Sequence, residues 1–199
     1  MKIHYRRIAK GFTLLELAVV TAIMCILLAI VAPTVTITQP NATANQMWRL
    51  TDAASENYMA FVAAAQVDPA VPDRVIGSGY SVMHILAYGA SYVAPAYQPI
   101  YNSTGIKPLS HLVNLGGTFG TWVMTNSPGI GVSFSYTDRV VYMTFSYVPI
   151  EVTKALADRI QPGATLQSGT SSYGVGNLMR YNCSDVNTCN VDLLHWIPW

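Results

Sequence analysis

Cysteine, histidine and carboxylate side chains are where this chain could do chemistry, and their spacing decides against most of it. His4, His84, His111 and His195 are scattered along the 199 residues. No HExxH pair, no GxSxG elbow and no P-loop is present, and the GxG fragments at Gly77, Gly129 and Gly174 stop short of a GxGxxG fingerprint. A lone histidine is far more often a satisfied core or surface residue than a ligand or a base. The sequence therefore points to no catalytic residue, no metal and no cofactor. Three Asn-x-Ser/Thr patterns, at Asn41, Asn102 and Asn182, are a weak signal for glycan attachment.

The cysteines offer more. Cys183 and Cys189 have five residues between them, a poor spacing for zinc, and Cys25 stands alone in an apolar run. In a chain exported to an oxidising compartment the pair reads as a disulfide, and closing so short a loop removes about 2 kcal/mol of unfolded-state entropy. In a cytosolic domain the same residues are two free thiols. The N-terminus decides between these settings.

Charged residues make up 11% of the chain against 51% hydrophobic, with a mean hydropathy of +0.31, a balance that calls for a membrane segment. Four of the eleven basic residues, Lys2, Arg6, Arg7 and Lys10, precede residue 12, leaving seven against ten acidic ones. Such a body has no nucleic-acid footprint. Residues 17–48 carry no charge, and 17–37 alone are 21 residues, about 31 Å as a helix, enough to cross a hydrocarbon core of about 30 Å. Cations before this stretch and none for a long way after it place the leader in the cytoplasm and the C-terminal body outside.

An ordinary secretory signal ends its apolar region in a small-residue cleavage site, whereas here the small residue, Gly11, comes first. Cutting at Gly11 leaves the helix attached. Glu16 is the feature that asks for a reason, because an acidic side chain at a bilayer edge costs a few kcal/mol. Cleavage after Gly11 creates an α-amino cation on Phe12, about one helical turn away. At roughly 4 Å and an effective dielectric near 20 such a pair gains about 4 kcal/mol before desolvation. The plainer alternative is a carboxylate snorkelling at the interface.

Gly11-Phe12-Thr13-Leu14-Leu15-Glu16, followed by Leu17-Ala18-Val19-Val20, resembles the processing site and helix of type IV prepilins. The resemblance implies cleavage after Gly11 by a membrane prepilin peptidase, N-methylation of Phe12, and use of Glu16 to dock a subunit onto a growing filament. It also gives a role to Pro33, which removes a backbone hydrogen bond and kinks or loosens the helix. Without the resemblance, Pro33 simply ends the membrane span.

Farther along, residues 41–65 place Met47, Leu50, Ala54, Tyr58, Phe61, Val62 and Ala65 at helical spacing, with Arg49, Asp52 and Glu56 elsewhere on the wheel. Residues 67–117 read as a long connection with one helix near 80–87. Strands follow at 119–124, 131–136 and 139–147, with turns at Asn126-Ser127-Pro128-Gly129 and Thr137-Asp138. Pro149 opens a helix through residue 160, and 190–197 form a last strand, whose aromatic end from His195 to Trp199 reads as a buried strand rather than an adhesive patch. Residues 109–160, with Gly116-Gly117-Thr118 and Ser146-Tyr147-Val148-Pro149, resemble the heads of type IVb, conjugative-plasmid-type pilins. The cysteine expected near Lys154 is missing, and the short leader and Phe12 are nearer the type IVa habit.

The expectation is an α+β protein: leader 1–11, a long N-terminal helix over 12–66 with its membrane segment at 17–37, and a head over 67–199 whose antiparallel sheet the helix covers. Its expected function is structural, a major or minor subunit of a type IV pilus for adhesion, motility, conjugation or DNA uptake. Its partners are then copies of itself, the prepilin peptidase, the pilus assembly machinery and the inner membrane, before it reaches the extracellular pilus. A secretion pseudopilin and a membrane-anchored adhesin are the alternatives.

Overall fold

The computed structural model describes residues 14–116, 122–137, 140–167, 169–183, 185 and 187–196, with backbone alone at 29–38, 170, 171 and 196. Apolar residues at helical spacing give a single helix, α1, Leu14–Ala65. Contacts divide the chain into two units, 1–39 and 40–199. In the first unit the described side chains of the helix are mostly apolar, and Leu14, Leu15, Leu17, Ile23 and Ile26 are exposed. Among the described residues no helix is long and apolar enough to cross a membrane. Residues 29–37 of the span expected over 17–37 have side chains outside those described.

In the second unit the same helix is one-sided. Met47, Leu50, Ala54, Tyr58, Phe61, Val62 and Ala65 are all buried, whereas Arg49 and Glu56 are exposed, as the wheel demands. The helix stops in a left-handed turn: Gln66 takes φ 53°, and the N–H groups of Gln66 and Val67 donate to the carbonyls of Ala63 and Val62 at 3.2 and 3.0 Å. Those two bonds satisfy carbonyls the helix end leaves open.

Among the described residues the sheet has seven strands: β1 Val113–Leu115, β2 Trp122–Met124, β3 Ser127–Tyr136, β4 Val140–Pro149, β5 Gly169–Val175, β6 Met179–Cys183 and β7 Thr188–Trp196. Their order is β1-β2-β3-β4-β7-β6-β5, every pairing antiparallel. Alternation puts Val141, Met143 and Phe145 of β4 on the buried face, opposite His195, Leu193 and Val191 of β7. Phe145, Met143 and Leu193 share one core with Met47 and Leu50 of α1. The pairing shifts between Phe145 and Val148, and Tyr147 takes φ 61° there with its ring exposed, a bulge that turns the strand.

Between β4 and β5 runs α4, Ile150–Ile160, which adds Val152, Leu156 and Ala157 to that core. Pro149 is its N-cap, so the helix begins where the missing N–H would be an orphan anyway. The Arg159 guanidinium donates to the Asn45 side chain and lies 5.6 Å from the centre of the Trp48 ring, tying α4 to α1.

The segment 67–117 is more ordered than its composition suggests. It holds α2, Val82–Tyr88, where the helix was expected, then α3, Gln98–Ser103, with single 3-10 turns at Pro72–Arg74, Ala90–Tyr92 and Pro95–Tyr97. Val75, Ile85, Val93 and Tyr101 gather there against Phe61 and Ala65 in a second core. The turn expected at residues 126–129 falls earlier: Met124 pairs with Ser127, so the loop is Thr125-Asn126, and Pro128 and Gly129 lie in β3 where the register slips. A bulge tolerates the missing N–H of Pro128. The strand expected over 119–124 is described only as Trp122–Met124.

Leu50 is 1% exposed, so Leu50→Ala removes buried contacts shared by α1 and the sheet. The expected loss is about 2–5 kcal/mol, against at most about 0.5 kcal/mol for Arg49→Ala on the exposed face. Denaturant unfolding of the detergent-solubilised full chain checks both.

Candidate functional site

Two places in the chain gather the residues singled out above: the start of α1, and the junction of β6 with β7. At the first, Glu16 lies in the first turn of α1, where the unpaired N–H groups of a helix favour a negative charge, and its side chain is exposed. Gly11 and Phe12 precede the described residues. The Thr21 hydroxyl donates to the Ala18 carbonyl at 3.0 Å, so the first polar side chain after Glu16 is satisfied within the helix. Cys25 is an exposed free thiol on the same stretch. The backbone of α1 continues helically through Pro33.

At the second place Cys183, the last residue of β6, is bonded to Cys189, the second residue of β7. Both are almost fully buried, at 3% and 2% exposure. The loop between them is held from outside as well: the Ile150 N–H at the start of α4 donates to the Asn187 carbonyl at 3.1 Å, and Val148 pairs with Cys189. A bond there fixes the return of the chain into the central strand β7.

His4 lies outside the described residues, and the other three histidines stand on separate elements. His111 is exposed in the turn before β1, and His195 lies on β7. Asp52 on α1 is held above the usual carboxylate range, chiefly by burial, with His195 pulling it back, Glu56 pushing it up, and Arg159 and a Trp48 side-chain hydrogen bond lowering it. His84 closes a capping box at the start of α2: its Nδ1 accepts from the Ser81 N–H at 3.1 Å, which requires a neutral ring, and burial holds its pKa below the usual value. No group of three His, Cys, Asp or Glu that could hold a metal occurs among the described residues.

Residues 6–32 match the family described as the prokaryotic N-terminal methylation motif. The chain carries the class III signal of type IV prepilins. That match includes Gly11, Phe12 and Glu16 and stops just short of Pro33, and it indicates a type IV pilin-like or pseudopilin precursor. No curated protein and no solved structure matches the chain. The motif sits on an α+β chain with the pilin-like arrangement of an N-terminal helix followed by an antiparallel sheet.

Sequence reasoning missed one set of residues in the head, the aromatic side chains around His84, because they come from segments that no local spacing connects.

The thiol pattern makes a direct prediction. In unreduced full-length protein Cys25 is alkylated while Cys183 and Cys189 are not, and Cys183→Ser lowers stability by about 2 kcal/mol. Non-reducing peptide mapping and denaturant unfolding read these two outcomes, and alkylation of all three cysteines without reductant would contradict them.

Proposed function

We propose that the chain is a structural subunit of a type IV pilus. In this reading a prepilin peptidase cuts after Gly11, Phe12 is N-methylated, residues 17–37 hold the processed subunit in the inner membrane with its C-terminal body outside, and copies then pack through their N-terminal helices into an extracellular filament. The observation that carries the reading is the methylation motif over residues 6–32. Two others support it: the first unit of α1 exposes Leu14, Leu15 and Leu17, a surface suited to lipid or to other apolar helices, and the head has the disulfide an exported protein keeps.

Each N-terminal residue has a role here. Gly11 lets the peptidase draw the backbone out, since it carries no Cβ. Phe12 supplies the new amine. Glu16 accepts that amine, either on its own helix or, because the amine of one helix points back along its chain, on the helix of the neighbouring subunit, where the pairing fixes the axial stagger. Pro33 leaves one carbonyl of α1 without its helical N–H and so loosens the helix when subunits pack. Residues 12–66 act as the stalk and 67–199 as the head. The role is mechanical, and no residue is assigned to catalysis.

A secretion pseudopilin shares the N-terminal signal, and material sheared from the cell surface separates the two: a major pilus subunit is plentiful there, a minor one is present in trace, and a pseudopilin is absent. Glu16 gives the sharper test. Removing its charge eases insertion, so Glu16→Ala is inserted and cut after Gly11 as the wild type is, but enters filaments poorly. Glu16→Lys, which sets two cations together, is worse. The measurement is the processed fraction in membranes beside the sheared filament for each variant. Wild-type filament yield from Glu16→Ala at equal expression would refute the docking role, and absence of the wild-type chain from sheared material would refute the pilus reading.

A further inference from the structure

The head carries more aromatic surface than its core uses. Five rings from three segments close on one another: Tyr80 meets His84 at 5.3 Å and Tyr92 at 4.7 Å between centroids, His84 meets Trp122 at 4.9 Å, Trp122 meets Tyr88 at 5.4 Å, and Tyr88 meets Tyr92 at 5.6 Å. A second set joins Tyr58 to Phe134 at 5.0 Å and to Tyr136 at 5.9 Å. An open groove between α2 and β3 is lined by members of both sets, Tyr80 and Trp122 from one and Phe134 and Tyr136 from the other. Tyr80 is 48% exposed, which a ring serving only to fill the core would not be.

The polar groups of the groove narrow the ligand. Asp73, Ser81 and Ser133 line it, all exposed, and among the described lining residues there is no Lys or Arg. His84 beside it adds no cation, since its Nδ1 accepts the Ser81 N–H. An anionic ligand would therefore meet Asp73 with no counter-charge. The Asp73 charge reaches across the groove wall: burial first, and then this carboxylate, raises the Tyr136 hydroxyl above its usual range. Flat aromatic faces beside one carboxylate and several hydroxyls suit a ligand with apolar C–H faces and hydroxyl edges. The faces lie on the rings, and a pair of hydroxyls donates to the carboxylate in charge-assisted bonds.

We propose that this groove is a binding site for neutral carbohydrate, a chain of uncharged hexoses stacked on the exposed ring of Tyr80 with hydroxyls bonded to Asp73, while the buried Trp122 backs the groove. The site lies wholly within residues 40–199 and stands whether or not the chain polymerises.

The test is retention of the detergent-solubilised full chain on immobilised cellohexaose and chitohexaose, with a sialylated oligosaccharide and tetramethylammonium competition alongside. Retention on a neutral oligosaccharide is expected, weakened roughly tenfold by Tyr80→Ala, little changed by Tyr80→Phe, which keeps the ring, and reduced by Asp73→Asn. Tyr147→Ala, which removes an exposed tyrosine on β4 outside the groove, leaves retention unchanged. A denaturant unfolding midpoint equal to that of the wild type shows that each variant is folded. No retention on either neutral oligosaccharide, retention that Tyr80→Ala does not weaken, preference for the sialylated probe, or displacement by tetramethylammonium would each overturn the proposal. So would loss of filament with Tyr80→Ala in a chain that retains no oligosaccharide, which would make the groove a contact between copies.

Discussion

The burial of one face of α1, from Met47 to Val62, in the core it shares with Met143, Phe145 and Leu193 is the interaction on which the head depends. A seven-stranded antiparallel sheet with one apolar face cannot stay in water uncovered. The helix that covers it also exposes, in its first unit, Leu14, Leu15, Leu17, Ile23 and Ile26. The same element is therefore one-sided where it packs on strands and exposes a series of large apolar side chains in its first unit. Any processing event that separated the two parts would have to cut within α1, and the sequence places its small residue, Gly11, before the helix.

The central strands and the disulfide follow from that burial. β4 and β7 are neighbours in the middle of the sheet, and each has a restrained connection: the chain leaves β4 through the bulge at Tyr147 and the Pro149 cap of α4, and enters β7 past the Cys183–Cys189 bond. Arg159 then locks α4 to α1 through Asn45 and Trp48. Every one of these devices acts on the edge of the core that α1 closes, so the loss of Leu50 and the loss of the bond weaken the same unit by different routes.

What could be read from the sequence was what is local. The stripe of α1 repeats over 25 residues with its charges elsewhere on the wheel, so period alone placed it. The determinants at Gly11, Phe12 and Glu16 lie within six residues of each other, and the match over 6–32 rests on the same short stretch. β5 and β6 were not legible. β5 reads Gly169-Thr170-Ser171-Ser172-Tyr173-Gly174-Val175, an edge strand with little apolar alternation, and β6 is five residues long and ordered by its pairing with β7. The turn before β3 was misplaced because Pro128-Gly129 is a strong local turn signal that the pairing of Met124 with Ser127 overrode. The short helices of 67–117 are set by both cores: α2 gives Val82, Met83, Leu86 and Ala87 to the first and Ile85 to the second, where it meets Phe61 and Tyr101 from distant segments. The groove beside His84 depends likewise on residues near 73, 80, 122 and 134, and no periodicity joins those.

The central claim is that the helix which closes the head is the same helix that the N-terminal signal delivers, still attached after processing. Intact mass spectrometry of the chain isolated from membranes and from sheared surface material tests this most directly. The account predicts a single species that begins at Phe12, carries one methyl group on its amine and retains everything C-terminal to it. A surface chain that still begins at Met1, or one that begins after the apolar stretch near Ala32, would contradict it.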